Sequence, residues 1–391
     1  MNETYLHFLW RRKRLPISKL QLTNGKSLIV HNVGTYNEQL AGPDFQFGSV
    51  SIDGVRMFGH IEIHVKSSDW RKHGHHNDPA YLPVILHVVH EDDEPLHVNG
   101  EPVPTLELKT LIDIDHFMRY QQKIWKHEEF PCRNELMELS VPYFESMKAK
   151  ALYQRLSERS SLLKDLKAIG SVNIFYQCIG SAFGMGINKS GFERLTRRVP
   201  LYALKGLSTR RRYQLLLVES GVWQFSDSGS TQTPLWHYKG TRPANFPDVR
   251  LRQFAHLASR YDFDTSFVHY DATGIANYFR AILNELWTND TEAIPRLSRS
   301  FQNHLLINGL VPFLWYTAQM YEDEDLAAKA LELLQILPAE SNGFVRKWQK
   351  AGVEPVNAYD TQAMLALYRD YCSRKKCLSC EVGNKVLNRI K

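Results

Sequence analysis

The sequence predicts an α+β protein, with a β-rich part up to about residue 112 and a mostly helical part from there to residue 391. Two observations support this division. The first part contains short runs of β-branched and aromatic residues separated by Gly, Pro, Asp and Asn, which is typical of strands and turns. From Asp113 onward, apolar residues recur instead at helical spacing. Since 391 residues can bury more than one core, we predict two domains, 1–112 and 113–391.

Five segments of the first part are predicted strands. In chain order they are LIVHNV (28–33), FQFGSVSI (45–52), VRMFGHIEIHVK (55–66), VILHVVH (84–90) and PTLELKTL (104–111). Asp53-Gly54, between the second and third strands, predicts a two-residue hairpin turn, because both positions tolerate positive φ. Such a turn pairs Ile52 with Val55.

The register of this hairpin decides whether two acidic residues share a face of the sheet. A regular ladder places Asp44 opposite Ile63 and turns Glu62 to the other face. Asp44 and Glu62 point the same way only if the pairing slips by one residue. Gly48, Gly59 or a longer turn could provide that irregularity.

The second part contains predicted helices and a basic segment. The clearest helical patterns are IDHFMRYQQKIW (114–125), VPYFESMKAKALYQRLSERSSLLKDL (141–166) and LAAKALELLQIL (326–337). In KGTRPANFPDVRLRQFAHL (239–257), Arg242 and Arg250 flank a helix start and could hold phosphates. A buried arginine network that ties helices together is the alternative.

Composition narrows the class of protein. Hydrophobic residues make up 43% and charged residues 23%, as in ordinary globular proteins. No run approaches the roughly 18 apolar residues of a membrane helix. The basic cluster at residues 11–14 follows an apolar stretch, which is the reverse of a secretory signal. We therefore expect a cytoplasmic protein without a membrane association. The net charge of +6 permits a nucleic-acid partner without requiring one.

The paired carboxylates suggest metal-dependent chemistry. Two carboxylates at close range repel each other, and a divalent cation such as Mg²⁺ or Mn²⁺ neutralises both. A basic side chain beside them can deprotonate or orient a metal-bound water, which then attacks a phosphodiester. Asp44 and Glu62 are therefore candidate metal ligands, and His64 is the candidate base.

This order of residues resembles the PD-(D/E)XK nuclease superfamily. Pro43-Asp44 matches its first element, and Glu62-Ile63-His64 matches its second, with His64 where that family usually has lysine. Glu38 stands where many such nucleases carry an additional acidic residue on a helix. The resemblance implies a restriction-endonuclease-like fold and nuclease activity. The histidine fits either an active base or a site that has lost its activity.

A histidine-rich loop follows the hairpin. SSDWRKHGHHNDPAY (67–81) contains His73, His75, His76 and Asp78, which could bind zinc or manganese. We expect the loop to overhang the hairpin, with His75 and His76 contacting a phosphate or substrate. Lys66 is a further candidate for substrate contact.

A cysteine cluster stands near the C-terminus. Cys372, Cys377 and Cys380 are spaced C-x4-C-x2-C, and Cys132 is the candidate for a fourth ligand. Such clusters hold zinc or an iron–sulfur cluster in cytosolic proteins. We expect one of these two cofactors here, and buried reduced cysteines are the alternative.

The whole chain also resembles an uncharacterised bacterial family known only as a domain of unknown function. The resemblance rests on AGPDF (41–45), GHIEIHVKSSDW (59–70), RPANFPDVRLRQFA (242–255) and YCSRKKCLSC (371–380). It implies no activity. The leading hypothesis is therefore a metal-dependent nuclease. The alternatives are a scaffold that binds nucleic acid or protein without catalysis, and a metallohydrolase that acts on a small molecule through the histidine loop.

Overall fold

The computed structural model describes residues 1–16, 20–37, 41–98, 100–125, 129–133, 141–163, 170–222, 236–287 and 294–388. The chain forms two compact units, Met1–Phe144 with Tyr371–Lys391, and Glu145–Asp370. This division differs from the expected boundary at residue 112. The reason is packing, because Phe117, Tyr120 and Leu378 are buried in the same apolar core as the strands.

The first unit is built on a mixed β-sheet. Its strands are β1 (Leu20–Gln21), β2 (Ser27–Asn32), β3 (Thr35–Tyr36), β4 (Phe45–Ile52), β5 (Val55–Lys66), β6 (Val84–Glu91) and β9 (Thr105–Glu107). The order is β1-β2-β4-β5-β6-β9, with β3 paired to β4. The β5–β6 and β6–β9 pairs are parallel, whereas the other pairs are antiparallel. Two short strands, β7 (His97–Val98) and β8 (Glu101–Pro102), pair separately. The five predicted strand segments are confirmed, with β9 shorter than its segment.

The hairpin between β4 and β5 turns as expected. Ile52 pairs with Val55, and Asp53 and Gly54 have φ values of 46° and 85°. Both turn residues are thus in the left-handed region that a two-residue hairpin turn requires. The Asp53 carboxylate also accepts hydrogen bonds from the backbone and hydroxyl of Ser27, at 2.9 and 3.1 Å.

The pairing of β4 and β5 slips by one residue between Phe45 and Gly48. Gly48 is opposite Gly59, but Phe45 is opposite Ile61. Phe47, inside the irregular stretch, has a φ of 58°. The one-residue slip that a shared site requires is therefore present, next to Gly48, one of the three places where the sequence allowed it.

Gly59 is required by a close backbone approach. A Cβ atom there would lie 2.4 Å from the Pro83 carbonyl oxygen and 2.5 Å from Ile85 Cγ2. Only glycine allows β5 to pass this near to the segment that leads into β6.

Three helices of the first unit surround the sheet core or its edge. These are α1 (Glu3–Arg11), α2 (Asp69–Lys72) and α3 (Ile114–Trp125). Asn2 caps α1 by accepting a hydrogen bond from the Tyr5 N–H at 2.9 Å. The apolar face of α1 is buried, and Trp10 donates from Nε1 to the Val33 carbonyl at 3.1 Å. The opposite face of α1 therefore keeps its polar side chains available near the sheet.

The second unit is helical. Its helices are α4 (Val141–Ser161), α5 (Ser171–Phe183), α6 (Lys189–Arg198), α7 (Leu201–Leu204), α8 (Thr209–Ser220), α9 (Pro247–Arg260), α10 (Ala272–Glu285), α11 (Arg299–Leu305), α12 (Val311–Tyr321), α13 (Glu324–Ile336), α14 (Gly343–Lys350) and α15 (Ala358–Leu367). A π-helical turn, Leu306–Leu310, joins α11 to α12. A short helix of the first unit, α16 (Glu381–Asn388), ends the described chain. Together with the sheet, this makes the protein α+β, as the sequence predicted.

The helices of the second unit share one apolar core, which contains Phe175, Phe254 and Phe313. The three predicted helical segments form helices, and α4 ends at Ser161, whereas its predicted segment runs to residue 166, of which residues 164–166 lie outside the described residues. Among the described residues, none of the helices has the length and apolar character needed to cross a membrane.

Candidate metal centre

The slip in the hairpin brings the two predicted carboxylates together. The Asp44 N–H donates to Glu62 Oε2 at 2.9 Å, and the Ile63 N–H donates to Asp44 Oδ2 at 3.0 Å. Each carboxylate is therefore fixed by the backbone of the opposing strand. These side-chain bonds stand where a regular ladder would place backbone pairs.

Glu62 faces two imidazoles with its other oxygen. Glu62 Oε1 lies 3.3 Å from His75 Nε2 and 3.5 Å from His64 Nε2. Glu62 is only 4% exposed. Burial raises its pKa, and the hydrogen bond with His75 opposes that effect. The glutamate is thus an enclosed carboxylate oriented toward histidine nitrogens.

Three histidines form a group that could hold a metal ion. One ring nitrogen from each of His64, His73 and His75 lies within 4.8 Å of the other two. Zinc binds imidazole nitrogens at about 2.0–2.1 Å, so small side-chain movements would close this group around an ion. His64 is buried, His75 is half-buried and His73 is exposed. The group therefore opens to solvent on the His73 side.

A second layer of side chains holds His64 in place. His64 Nδ1 and His87 Nε2 share a hydrogen bond of 2.9 Å. His64 Nε2, which faces the group, has no hydrogen-bond partner among the described residues. Burial, followed by neighbouring imidazoles, lowers the pKa of His64 to about 2 and that of His87 to about 3. Both rings are therefore neutral at physiological pH, which is the state in which imidazole binds a metal.

Aromatic packing positions the histidine loop. The His75 ring stacks on Tyr81 with a centroid distance of 3.9 Å. Trp70, which is fully buried, contacts His75 edge-on at 5.5 Å and His87 at 5.3 Å. The loop folds back over β5 and β6 through these rings, and this position agrees with the expected overhang.

Helix α1 adds residues that the sequence reasoning missed. His7 Nε2 lies 3.1 Å from Asp44 Oδ2. Burial lowers the pKa of His7, but the hydrogen bond and charge of Asp44 outweigh it, so the pKa is raised. The pKa of Glu3 is raised by burial and influenced by the charges of His73, His7 and Asp44. Glu3, His7 and Arg11 follow at i, i+4 spacing, which was the available signal for a shared helix face.

Other predicted site residues lie outside this group. Glu38 is not among the described residues. His76 is exposed and shares a hydrogen bond with Asn77 at 3.0 Å. Lys66 lies 3.7 Å from carboxylate oxygens of Glu91 and Asp93.

The two predicted phosphate-binding arginines belong to the second unit. Arg242 is exposed, and Arg250 is buried. Arg250 donates to Gln253 Oε1 at 2.7 Å and to Asn245 Oδ1. Gln253 lies on the same helix, α9, and Asn245 lies just before it, so these two contacts do not tie Arg250 to another helix.

The four candidate cysteines belong to the first unit, and none of them is in a disulfide. Cys372 is within electrostatic reach of the other three, since burial and the charges of Cys132, Cys380 and Cys377 raise its pKa. No three of their sulfur atoms lie within 4.8 Å of one another in the described part of the chain. Cys132, which is distant from the other three cysteines in the sequence, therefore lies near them in the fold.

The fold and site define an α+β protein with a histidine-lined candidate metal centre. A family model described as "Protein of unknown function (DUF2851)" matches residues 3–227 and 223–343. These matches cover most of the chain, so the protein belongs to this family, and the predicted family resemblance is confirmed. No curated protein and no solved structure matches the chain significantly.

Proposed function

We propose that this protein is a metal-dependent nuclease whose ion is held by His64, His73 and His75. The observation that carries the proposal is the convergence of these three imidazoles with Glu62 Oε1. Three protein ligands leave a fourth position for water, as in catalytic zinc sites. Imidazole donors favour zinc over magnesium or manganese.

Glu62 is placed to act as the general base. A bound divalent ion supplies a water of lowered pKa. Glu62 Oε1, which lies 3.5 Å from His64 Nε2 and 3.3 Å from His75 Nε2, would accept the proton of that water. The Asp44 N–H holds the other glutamate oxygen, and His87 fixes the ring of His64. Asp44 and His87 are therefore positioning residues in this proposal.

The charge around the site favours a polyanionic substrate. The basic run at residues 11–14 begins one helical turn after His7, which contacts Asp44. The Arg11 guanidinium lies 5.4 Å from the centroid of the Tyr36 ring, and His7 lies 5.5 Å from the same ring. Basic side chains beside a hydrolytic centre suit the phosphate backbone of DNA or RNA. Together with the PD-(D/E)XK-like order of Asp44 and Glu62, this supports a nuclease.

The experiment compares two adjacent histidines. His75→Asn removes a proposed ligand, whereas His76→Asn changes an exposed neighbour outside the group. Metal-depleted full-length protein is loaded with Zn²⁺, Mn²⁺ or Mg²⁺, and bound metal and cleavage of single- and double-stranded DNA and RNA are measured. We expect the wild type and His76→Asn to cleave and to bind one more ion per chain than His75→Asn, which also loses cleavage; the cysteines are the same in all three proteins.

Other outcomes would contradict this proposal in distinct ways. Mg²⁺-dependent cleavage that is lost in Asp44→Asn but kept in His75→Asn would place the ion on the carboxylates, as first expected from the sequence. Salt-sensitive nucleic-acid binding without cleavage would favour the non-catalytic scaffold. Zinc binding with hydrolysis only of small esters would favour the small-molecule hydrolase.

We further propose that Cys132, Cys372, Cys377 and Cys380 hold an iron–sulfur cluster or zinc. Cys132 and the terminal cluster are brought together in the first unit, where a metal would join the chain terminus to the region after α3. Tetrahedral zinc, with Zn–S bonds of about 2.3 Å, needs sulfurs closer than those seen here, whereas a cluster spans a wider set. Anaerobically purified protein should show iron, sulfide and visible absorption, all lost in Cys377→Ser. Zinc that is lost in Cys377→Ser, without visible absorption, identifies the alternative. If Cys377→Ser changes neither the iron nor the zinc content, the proposal is refuted.

A further inference from the structure

A cavity lies in the second unit, and none of the residues that line it is used above for hydrolysis. It has a volume of about 700 Å³, within the range of small-molecule sites. The residues that line it and enter the argument are Arg242, Arg250, Ser298, Ser300, Asn303 and Glu340. The proposed nuclease mechanism gives this cavity no role.

Arg250 is the unusual residue of the cavity. It is only 6% exposed, and its guanidinium carbon lies 3.3 Å from the centroid of the Phe301 ring. Its two terminal nitrogens donate to the neutral amides of Gln253 and Asn245, and its Nε–H has no partner among the described residues. Burial lowers its pKa to about 10, so it remains charged at neutral pH. No described carboxylate forms an ion pair with it, which leaves a buried positive charge uncompensated.

Further donors surround the same space. Arg242 is exposed at its edge. Asn303 Oδ1 accepts a hydrogen bond from Arg280 at 2.8 Å, so the Asn303 amide group keeps its N–H donors for another partner. Ser298 Oγ accepts from the Phe301 N–H at 3.2 Å, and its hydroxyl hydrogen remains available to donate. The wall therefore offers two guanidinium groups and several neutral donors.

The one acidic residue among those named is already hydrogen-bonded. The Glu340 carboxylate accepts from Asn308 at 3.4 Å, from Thr361 at 3.4 Å and from Gln362. Among the described residues this carboxylate forms no ion pair with Arg250, and burial is the one cause of the lowered pKa of Arg250. The lining thus contains an acceptor as well as cationic donors.

We propose that this cavity binds a small organic phosphate, with the phosphate group between Arg242 and Arg250. A phosphate presents three or more acceptor oxygens, which suits two arginines together with Ser298, Ser300 and Asn303 better than the two oxygens of a carboxylate do. The volume leaves room for an organic group beside the phosphate. The site does not depend on the proposed nuclease activity.

The test uses the full chain with EDTA present and inorganic phosphate or pyrophosphate as the probe. Binding is measured by isothermal titration calorimetry at constant ionic strength, because phosphate also stabilises proteins nonspecifically. Arg242→Gln should raise Kd at least tenfold. Arg211→Gln, which changes an exposed arginine of α8 outside the cavity lining, is the matched control and should leave Kd unchanged.

Further variants keep the outcome clear. Arg250→Lys keeps the charge but loses the fork-shaped donor set, and it should also weaken binding. His75→Asn should bind phosphate as the wild type does, which separates this site from the metal centre. Absence of saturable heat up to about 10 mM probe, or equal Kd values in Arg242→Gln and Arg211→Gln, would overturn the proposal.

Discussion

Replacing Glu62 with glutamine separates metal binding from catalysis at the candidate centre. In the wild type the Asp44 N–H donates to Glu62 Oε2 at 2.9 Å. Glutamine has the same shape as glutamate, so its amide oxygen can still accept this hydrogen bond. The amide then faces His64 and His75 but cannot take a proton from water. We therefore expect metal binding to persist and hydrolysis to fail.

The expected magnitudes distinguish a base from a ligand. A general base contributes typically 10²–10⁴-fold, or roughly 3–5 kcal/mol of barrier. Zinc at about 100 times its Kd stabilises the folded protein by about 2.7 kcal/mol. If Glu62 acts only as the base, Glu62→Gln keeps that increment. If it is a ligand whose loss weakens binding about 100-fold, the increment falls to about 0.4 kcal/mol.

The assay combines urea unfolding with and without zinc and cleavage under the same zinc concentration. Glu91→Gln is the control, since Glu91 is a partly exposed carboxylate that pairs with Lys109 at 3.0 Å. The control should change neither measurement. If Glu62→Gln cleaves at the wild-type rate, Glu62 is not the general base. If zinc no longer raises the free energy of unfolding of Glu62→Gln, Glu62 is a metal ligand.

Two further predictions concern His87, which orients a proposed metal ligand, and Lys148, which forms a buried ion pair in the second unit. His87→Gln should weaken zinc binding by about 10–100-fold, because His87 orients His64 through the 2.9 Å hydrogen bond; unchanged affinity in a zinc titration would show that His64 needs no such support. Lys148→Met should lower the free energy of unfolding by about 3–5 kcal/mol, because it leaves the carboxylate of Asp360 without its ion-pair partner. In the wild type Lys148 Nζ lies 2.6 Å from Asp360 Oδ1, and the lysine side chain is only 6% exposed. Burial lowers the pKa of Lys148, but the hydrogen bonds to Asp360 and Glu145 outweigh burial, so the pKa is raised. The stabilisation by Lys148 is therefore complete below about pH 10, and it is lost only as the pH rises through the raised pKa. Glu145→Gln removes the half-exposed partner and should cost less than about 1 kcal/mol; equal losses for both variants in urea unfolding would contradict this ranking.

Local signals made the hairpin predictable. Asp53-Gly54 specifies a turn with two positive φ values, and the alternation on either side specifies strands. The sequence indicated Gly48 as one of three places for a slip, but it did not predict that a slip occurs, because the same alternation of residues also fits a regular ladder. Periodicity likewise identified α3 and α13 (residues 324–336), since both carry apolar residues at helical spacing.

Long-range packing was not predictable in the same way. The unit boundary depends on α3 and Leu378 joining the core of the sheet, and no local pattern encodes that contact. The same holds for His7, which reaches Asp44 only because α1 packs beside the sheet. The contact between His87 and His64 likewise depends on the parallel pairing of β5 and β6.

The described arrangement contains charges and polar atoms that a cation would satisfy together. Two carboxylates, Asp44 and Glu62, are fixed near each other by reciprocal backbone hydrogen bonds, although like charges repel. The buried His64 Nε2 has no hydrogen-bond partner in this part of the chain, and its ring remains neutral. If this cluster had only a structural role, apolar side chains in the same positions would often stabilise the folded protein as well or better. A divalent ion bound by the imidazoles would neutralise the carboxylates and also coordinate His64 Nε2. We therefore interpret the slip at Gly48 as a feature that builds a metal centre.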